Sequence, residues 1–530
     1  MGSGIAVIKD ITRRDFLIGS GATLLSSCTE RTPLFPSGQL LGPDQTVGHK
    51  LRDGKFPAAN REIRIPILIV GAGIAGLSCG WWLQRNGVKD FQILELESVA
   101  GGNARSGKNS IGAFPWGAHY LPLPGQDATY VRTLLSELGV LHGDANAVAP
   151  TYDERFLVQA PDERLFINGG WQDGLIPRAG IGANAQREIQ QFEVLMNEWS
   201  ERKGNDGRHV FTIPSAMGSN DPTFLALDKI TFNEWLLQQN LRSEPLHWYV
   251  GYSCRDDFGA DHRQISAWAG LHYFCCRRGQ AANAEPQSVL TAPQGNGWIV
   301  ERLSHMLQAQ LKTGSTLVRM EIHSKGVSAD IYHSSTQEIT RINCDHLVWA
   351  APLFILSRVW SAAPRFSLPE CAPWLVANLT VENIDETEFT AWDSVIYQGN
   401  GLGYVDSTHQ AMEFRRPKRV LTYYHALSHA APREARQQLL TVSHETWSAQ
   451  IFADLKRAHP QLQAKCSAID LWRWPHAMAI PAPGFLASLP QWRQALHPHL
   501  HIAHSDLSGF SLFEEAQYWG VEAAQKIIGA

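Results

Sequence analysis

Runs of consecutive β-branched residues alternate along the chain with stretches of helical spacing. Ile65-Pro66-Ile67-Leu68-Ile69-Val70 is a short apolar run, the pattern of a parallel strand buried on both faces. Gly71-Ala72-Gly73-Ile74-Ala75-Gly76 follows at once, and Leu77 to Arg85 then reads as helix. A second strand, Phe91-Gln92-Ile93-Leu94, is closed by Glu95. Strand, glycine turn, helix and strand in this order predict an α/β fold built on a Rossmann-like parallel sheet. Upstream, residues 28–62 are rich in Pro, Gly and polar residues and read as an extended linker arm. No apolar run reaches the roughly 18 residues of a membrane-spanning helix.

The glycine turn is the first place where pattern becomes chemistry. Gly71 permits the tight turn, Gly73 lets the backbone approach a pyrophosphate, and Gly76 allows close packing of helix on strand. Ala75 sits between them in the first helical turn, where unpaired N–H groups and the helix dipole favour phosphate. Glu95 is placed to accept hydrogen bonds from ribose hydroxyls, and an acid there disfavours the 2′-phosphate of NADP. A dinucleotide site is the expectation.

Composition narrows the class. Charged residues are 18% of the chain, below the ~25% of an ordinary globular protein. Lys and Arg total 46 against 51 Asp and Glu, a formal charge of −5, without the basic excess of a nucleic-acid binder. The 18 tryptophans point to an aromatic-rich interior or pocket. Apart from Cys28 the cysteines are Cys79, Cys254, Cys275, Cys276, Cys344, Cys371 and Cys466, an odd number at scattered spacings that makes no disulfide framework. No CxxCH, paired CxxC or HExxH occurs, so neither covalent haem nor a metal site is expected.

The N-terminus reads as an address. Thr12-Arg13-Arg14-Asp15-Phe16-Leu17 matches the twin-arginine pattern, and a weakly apolar stretch from Leu17 to Leu25 follows, so residues 1–27 are read as a signal peptide. Leu25-Ser26-Ser27-Cys28 resembles a lipobox, in which Cys28 would be acylated and tether the protein to the membrane surface. Simple cleavage nearby is the alternative. Either way the twin-arginine export machinery is the expected partner and the periplasmic side the expected location. As a trait of that route, cargo travels folded, commonly with its cofactor bound.

Val99-Ala100-Gly101-Gly102-Asn103-Ala104-Arg105-Ser106 comes a few residues after Glu95. In this stretch the chain resembles the flavin-containing amine oxidase and phytoene desaturase superfamily, whose second strand leads into a double glycine and an arginine. The likeness resumes at Val318 to Ile322, at Leu347-Val348-Trp349-Ala350-Ala351-Pro352-Leu353, and at His501-Ile502-Ala503-His504-Ser505-Asp506. The helix opened by Glu514-Glu515-Ala516 and continued through Gly520, Ala523 and Ala524 resembles the family's closing helix. The resemblance implies FAD as cofactor, with Gly101, Gly102 and Arg105 on the pyrophosphate and flavin side. Val318 would meet adenine through its backbone, and Asp506 would hold the ribityl–pyrophosphate region. Asn103 departs from the usual arginine, and Arg105 would supply that charge; the local reading of Asp506 as a cap before Leu507-Ser508-Gly509 stays open.

The same resemblance implies two interleaved domains. Residues 63–145, 290–360 and 480–530 would form the FAD-binding domain, and 146–289 with 361–479 an α+β substrate domain. Trp116-Gly117-Ala118-His119-Tyr120 falls where the family has a glycine turn beside the isoalloxazine; Gly117 would allow close approach. His119 is a candidate general base or a structural histidine. Cys254-Arg255-Asp256-Asp257-Phe258-Gly259 offers paired carboxylates for a cationic amine, with Asp257 a candidate catalytic residue, or else a turn and cap. Trp472-Arg473-Trp474 puts two indoles on one side of a strand, where Trp474 could wall a pocket by the flavin or simply pack in the core.

Two departures restrain an amine-oxidase assignment. The stretch from Pro369 to Thr380 holds Pro373 and Trp374 but lacks the lysine often found there, and Leu512-Phe513 stand where a cage tyrosine is common. The segment Gly48-His49-Lys50-Leu51-Arg52-Asp53-Gly54 locally resembles exported bacterial spermidine dehydrogenases. The expected function is thus an exported FAD-dependent oxidoreductase taking a hydride from an amine or another activated C–H of a small molecule. Oxygen or a membrane carrier would reoxidise it. Desaturation or isomerisation of an apolar substrate, and a non-catalytic flavoprotein module, are the alternatives.

Overall fold

The computed structural model describes residues 35–54, 56–385, 388–411 and 417–529. The twin-arginine motif and Cys28 lie outside the described residues. A five-stranded sheet runs in the order Leu311–Lys312, Phe91–Leu94, Ile67–Val70, His346–Trp349 and Leu500–Ile502, every neighbouring pair parallel. Ile67–Val70 lies at its centre and is buried at all four positions, which is why its run is apolar without alternation. Ile67 and Ile69 face the helices Ile74–Arg85 and Gly297–Met306, whereas Leu68 and Val70 face a four-stranded sheet. That second layer is made of Ser315–His323, Gly326–His333, Ile339–Cys344 and Arg61–Arg64. The C-terminal helix Phe513–Ile528 lies against Ile74–Arg85 so closely that a Cβ on Gly520 would stand 2.2 Å from the Ala75 carbonyl oxygen.

An eight-stranded sheet forms the other half. Its order is Leu40–Leu41, Cys466–Ala479, Cys371–Glu382, Lys418–Ala426, Tyr404–Asp406, Asp393–Ile396, Glu163–Ile167 and Gly170–Asp173. Side chains alternate across it. Leu375, Ala377 and Leu379 pack outward on the helices Pro432–Thr441 and His444–Leu455, while Trp374 and Val376 point to the core shared with the helices Glu244–Phe258 and Ala267–Cys275. Trp472 and Trp474 share a side, with ring centroids 5.3 Å apart.

The stretch read as an extended arm is more structured than its composition suggests. Leu40–Leu41 pairs in parallel with Leu471 and Trp472, and Gln45–Asp53 is a helix. Asp44 caps that helix by accepting from the Thr46 and Val47 N–H groups, and Gly54 ends it at φ 67°. Val47, with Leu51 and Phe56 beside it, then packs on Val318, Tyr332 and Ile339. Nine residues between two caps are too short to show a clear apolar period, and the flanking Pro and Gly hide them.

Candidate functional site

Two glycine loops meet where the parallel sheet ends. Gly71 adopts φ 106°, and a Cβ there would be 2.7 Å from the Ala350 carbonyl oxygen; at Gly76 it would be 1.9 Å from that of Gly71. Gly102, at φ 54°, faces Gly73 so closely that a Cβ on it would come within 3.3 Å of the Gly73 Cα. The Ile74–Arg85 helix starts at Gly73 without a side-chain cap, so its first N–H groups, those of Ala75 and Gly76 among them, are open to a phosphate. Gly101, at φ 130°, donates its N–H to the Ala72 carbonyl at 2.9 Å and ties the loops together. Side chains at Gly71, Gly76, Gly101 and Gly102 would clash or strain the backbone here, and the open N–H groups suit a pyrophosphate.

Around it stand the acids. Glu95 accepts the Ala72 N–H at 2.8 Å and the Glu97 N–H at 3.0 Å, which fixes the glycine loop to the strand end and leaves lone pairs for ribose hydroxyls. Burial raises its pKa, and those two N–H groups oppose the rise. Between Leu317 and Arg319 the ladder slips, leaving Val318 outside the paired register, as a main-chain contact to a base requires. Asp506 accepts the Leu353 N–H at 2.8 Å and lies 3.2 Å from His504 Nδ1. Burial works against its ionisation, yet His504 and the Leu353 bond hold its carboxyl below the usual range. Asp506 thus caps the Leu353–Val359 helix across the sheet as well as beginning its own turn. Arg105 is engaged too, 3.4 Å from Glu97 and 4.7 Å above the Trp472 ring. Asn103 donates to the Ala477 carbonyl at 2.5 Å and joins the double-glycine loop to the large sheet.

A cavity opens beyond these loops. Asn103, Gly117, Ala477 and the segment 511–513 line one end, and Tyr120, Asp256, Asp257, Arg277 and Glu514 the polar part. A Cβ on Gly117 would be 2.2 Å from the Asn103 carbonyl oxygen, and the Tyr424 hydroxyl donates to the Gly117 carbonyl at 3.0 Å. His119 stacks on Tyr424 at 4.5 Å, with Trp392 at 5.7 Å. Burial pushes its imidazole down to about 3, so it is neutral at ordinary pH and serves as wall and hydrogen-bonding group rather than cation. Trp474 lines the cavity while its indole N–H donates to the Trp116 carbonyl at 2.5 Å.

The paired carboxylates divide their roles. Asp257 is matched by Arg277, whose Nη2 is 2.7 Å away. Asp256 accepts the Tyr120 hydroxyl at 3.4 Å; burial, then the charge of Asp257, push its carboxyl up to about 6 against the opposing charges of Arg277 and Arg255. Behind it, Glu163 and Asp393 lie directly opposite each other on paired parallel strands. Burial and neighbouring carboxylates push Glu163 up to about 7 and Asp393 well above the carboxylate range. Among the described residues Arg277 is the one guanidinium lining the cavity, against Asp256, Asp257 and Glu514 there and Glu163 and Asp393 behind, and the Arg255 charge also reaches Asp256.

The structure brings His119, Asp257, Trp474 and Gly117 to the same cavity, and groups Gly71, Gly73, Ala75, Gly76, Glu95, Gly101 and Gly102 at the cradle. Sequence reasoning missed Arg277, Trp374, Tyr424 and Glu514 as cavity residues. Alternation along Cys371–Glu382 and Lys418–Ala426 gives the face of Trp374 and Tyr424 once the sheet is known; nothing local marks Arg277.

Comparison with known proteins agrees with this geometry. A family model described as an NAD(P)-binding Rossmann-like domain matches residues 69–138. Curated proteins give no significant match. Among solved structures, putrescine oxidase bound to putrescine is similar over 88% of this chain and 100% of its own, at 14% identity and a TM-score of 0.64. Cyclohexylamine oxidase from Brevibacterium oxydans is similar over 88% of this chain and 99% of its own, at 15% identity and 0.64. A CLA-producing fatty acid isomerase from P. acnes covers 86% of this chain and 97% of its own, at 15% identity and 0.58. The fold is shared with these two oxidases and the isomerase. Residues 69–138 form its Rossmann-like part.

Proposed function

We propose that this protein is an FAD-dependent oxidoreductase that oxidises an amine by removing a hydride from the carbon bound to nitrogen. One observation carries the reading: the cavity adjoining the dinucleotide cradle joins aromatic walls to carboxylates that outnumber their cations. Gly71, Gly73, Gly76, Gly101 and Gly102 would hold the pyrophosphate, Glu95 the adenosine ribose and Asp506 the ribityl region; FAD, when bound, supplies the hydride acceptor. The chain's own work is to orient the substrate. His119, Tyr424, Trp374 and Trp474 give ring faces to an aminium and its carbon chain, and Asp256 gives it a counter-charge. The likeness to putrescine and cyclohexylamine oxidases supports an amine. A fatty-acid substrate, as in the isomerase, would bring its carboxylate to a cavity already rich in acids.

The test is an anaerobic panel of mono- and diamines, polyenes and fatty acids, read by loss of flavin absorbance. Reduction by an amine alone is expected. Protein that takes up no flavin after FAD addition would sink the reading, and flavin that nothing in the panel reduces would favour a binding module. Export through the twin-arginine route is part of the same proposal. Replacing Arg13 and Arg14 by Lys should leave the protein in the cytoplasmic fraction, and Cys28→Ala should release it from membranes if that residue carries lipid.

A further inference from the structure

The C-terminal helix opens on two adjacent acids with different surroundings. Glu515 is fully engaged: it accepts the Ser215 N–H at 2.6 Å and the Ser508 hydroxyl at 2.5 Å. Glu514 is 2% exposed, and its Oε1 has no hydrogen-bond partner among the described residues. Buried carboxylate oxygens are rarely left so, and an unmatched one marks a place for a donor that comes and goes.

Glu514 also stands between two cavities. It lines the one described above and, with Asp127, Tyr130, Met217, Gln517, Tyr518 and Glu522, a second. Met217 is 41% exposed and the Asp127 side chain 42%, so the second cavity reaches the surface. Its other acids are occupied: Asp127 lies 3.1 Å from Arg278, and Glu522 accepts the Tyr130 hydroxyl at 2.9 Å. Gln517 is fully buried and its Oε1, like that of Glu514, has no partner among the described residues.

We propose that Glu514 accepts the proton that an ammonium substrate sheds before oxidation and returns it through the second cavity, past Gln517, to solvent. This rests on the amine reading above. An N–H bond of the bound ammonium breaks, the electron pair stays on nitrogen, and an O–H bond forms at Glu514 Oε1. The carbon then has a neutral amine beside it and can give its hydride to the flavin. Water in the second cavity takes the proton and restores the carboxylate. The groups facing Glu514 suit the task. Burial brings its carboxyl up to about 7; Arg277, beyond Ala267–Cys275, favours the charge, and Glu515 on its own helix and Asp257 on Glu244–Phe258 oppose it. Cys276 also faces it and stays a thiol, because burial pushes that group far up.

The test uses the FAD-loaded full chain and 1-adamantylamine, an amine with no hydrogen on the carbon bound to nitrogen, which therefore binds without being oxidised. Infrared difference spectra should show a carboxylic-acid C=O band appearing on binding, shifting in D2O, and absent from Glu514→Gln. With an oxidisable amine, flavin reduction in Glu514→Gln should fall about 100-fold at pH 7.5 and recover as pH rises toward the pKa of the free amine. The wild type should hold its rate down to about pH 7. Should Glu514→Gln fail to fold, Glu514→Asp is expected to move the band. No band in the wild type, the same band in Glu514→Gln, an unmoved one in Glu514→Asp, or loss of FAD from a folded variant would overturn the proposal. Wild-type flavin that no amine reduces would instead overturn the amine reading itself.

Discussion

At the scale of single residues, the cavity is shaped by carboxylates kept out of water. Asp256 gives this a measurable sign. Its folded-state pKa is raised, by burial first, so the native protein holds a proton that the unfolded chain releases near pH 4. The group therefore costs stability as pH rises through about 4 to 6, and costs it fully above. Asp256→Asn should leave urea unfolding unchanged at pH 4 and stabilise by about 1–3 kcal/mol at pH 8. Equal effects at both pH values would contradict the assignment. Such residues were partly legible. The glycine turn announces itself because its constraint sits within six consecutive positions, where a Cβ on Gly71 or Gly76 would clash with backbone. Asp256, Arg277, Tyr424 and Glu514 come from separate elements and face one another only after folding.

Among elements, the contact between the helices Ile74–Arg85 and Phe513–Ile528 matters most to the cradle. Gly520 lets Phe513–Ile528 touch the backbone of Ala75, in the turn whose N–H groups face the phosphate site. Gly520→Val must push these helices apart, and overpacking of this kind costs ~1–3 kcal/mol. The expected outcome is a lower melting temperature together with a lower flavin-to-protein ratio in purified samples. A lower melting temperature with full flavin would show that the two helices are not coupled through the cradle. Elements with local signals were legible: Ile67–Val70 and Ile74–Arg85 lie where apolar runs and glycines place them. The Gln45–Asp53 helix was not, because its evidence is two caps rather than a period.

For the whole molecule, the dinucleotide sheet draws its strands from three distant parts of the chain, near 67–94, 311–349 and 500–502. The large sheet is threaded between them, and the Leu40–Leu41 strand joins its edge from the N-terminal side. Halves connected so many times should unfold together. FAD at a hundredfold excess over its Kd should raise stability by about 2.7 kcal/mol while preserving one calorimetric transition. Two transitions, only one of them moved by FAD, would argue that the halves are independent. Sequence pattern alone identifies the pieces of such a sheet but not their order, since all but one of its parallel pairings join strands about 150 residues or more apart.

The edge strand Leu500–Ile502 and the Asp506 turn give the design a timetable. At about 5–20 residues per second, a ribosome needs roughly half a minute to two minutes to make a chain of this length. The central strand and its glycine turn emerge in the opening fraction of that interval, yet the strand pairing with His346–Trp349 and the carboxylate of Asp506 come close to its end. Throughout elongation the nascent sheet has open edges and no finished pocket, which is a period of exposure to aggregation. On the flavin reading proposed above, cofactor insertion would be post-translational. With the folded export proposed above, it would belong to the interval between release from the ribosome and arrival at the membrane.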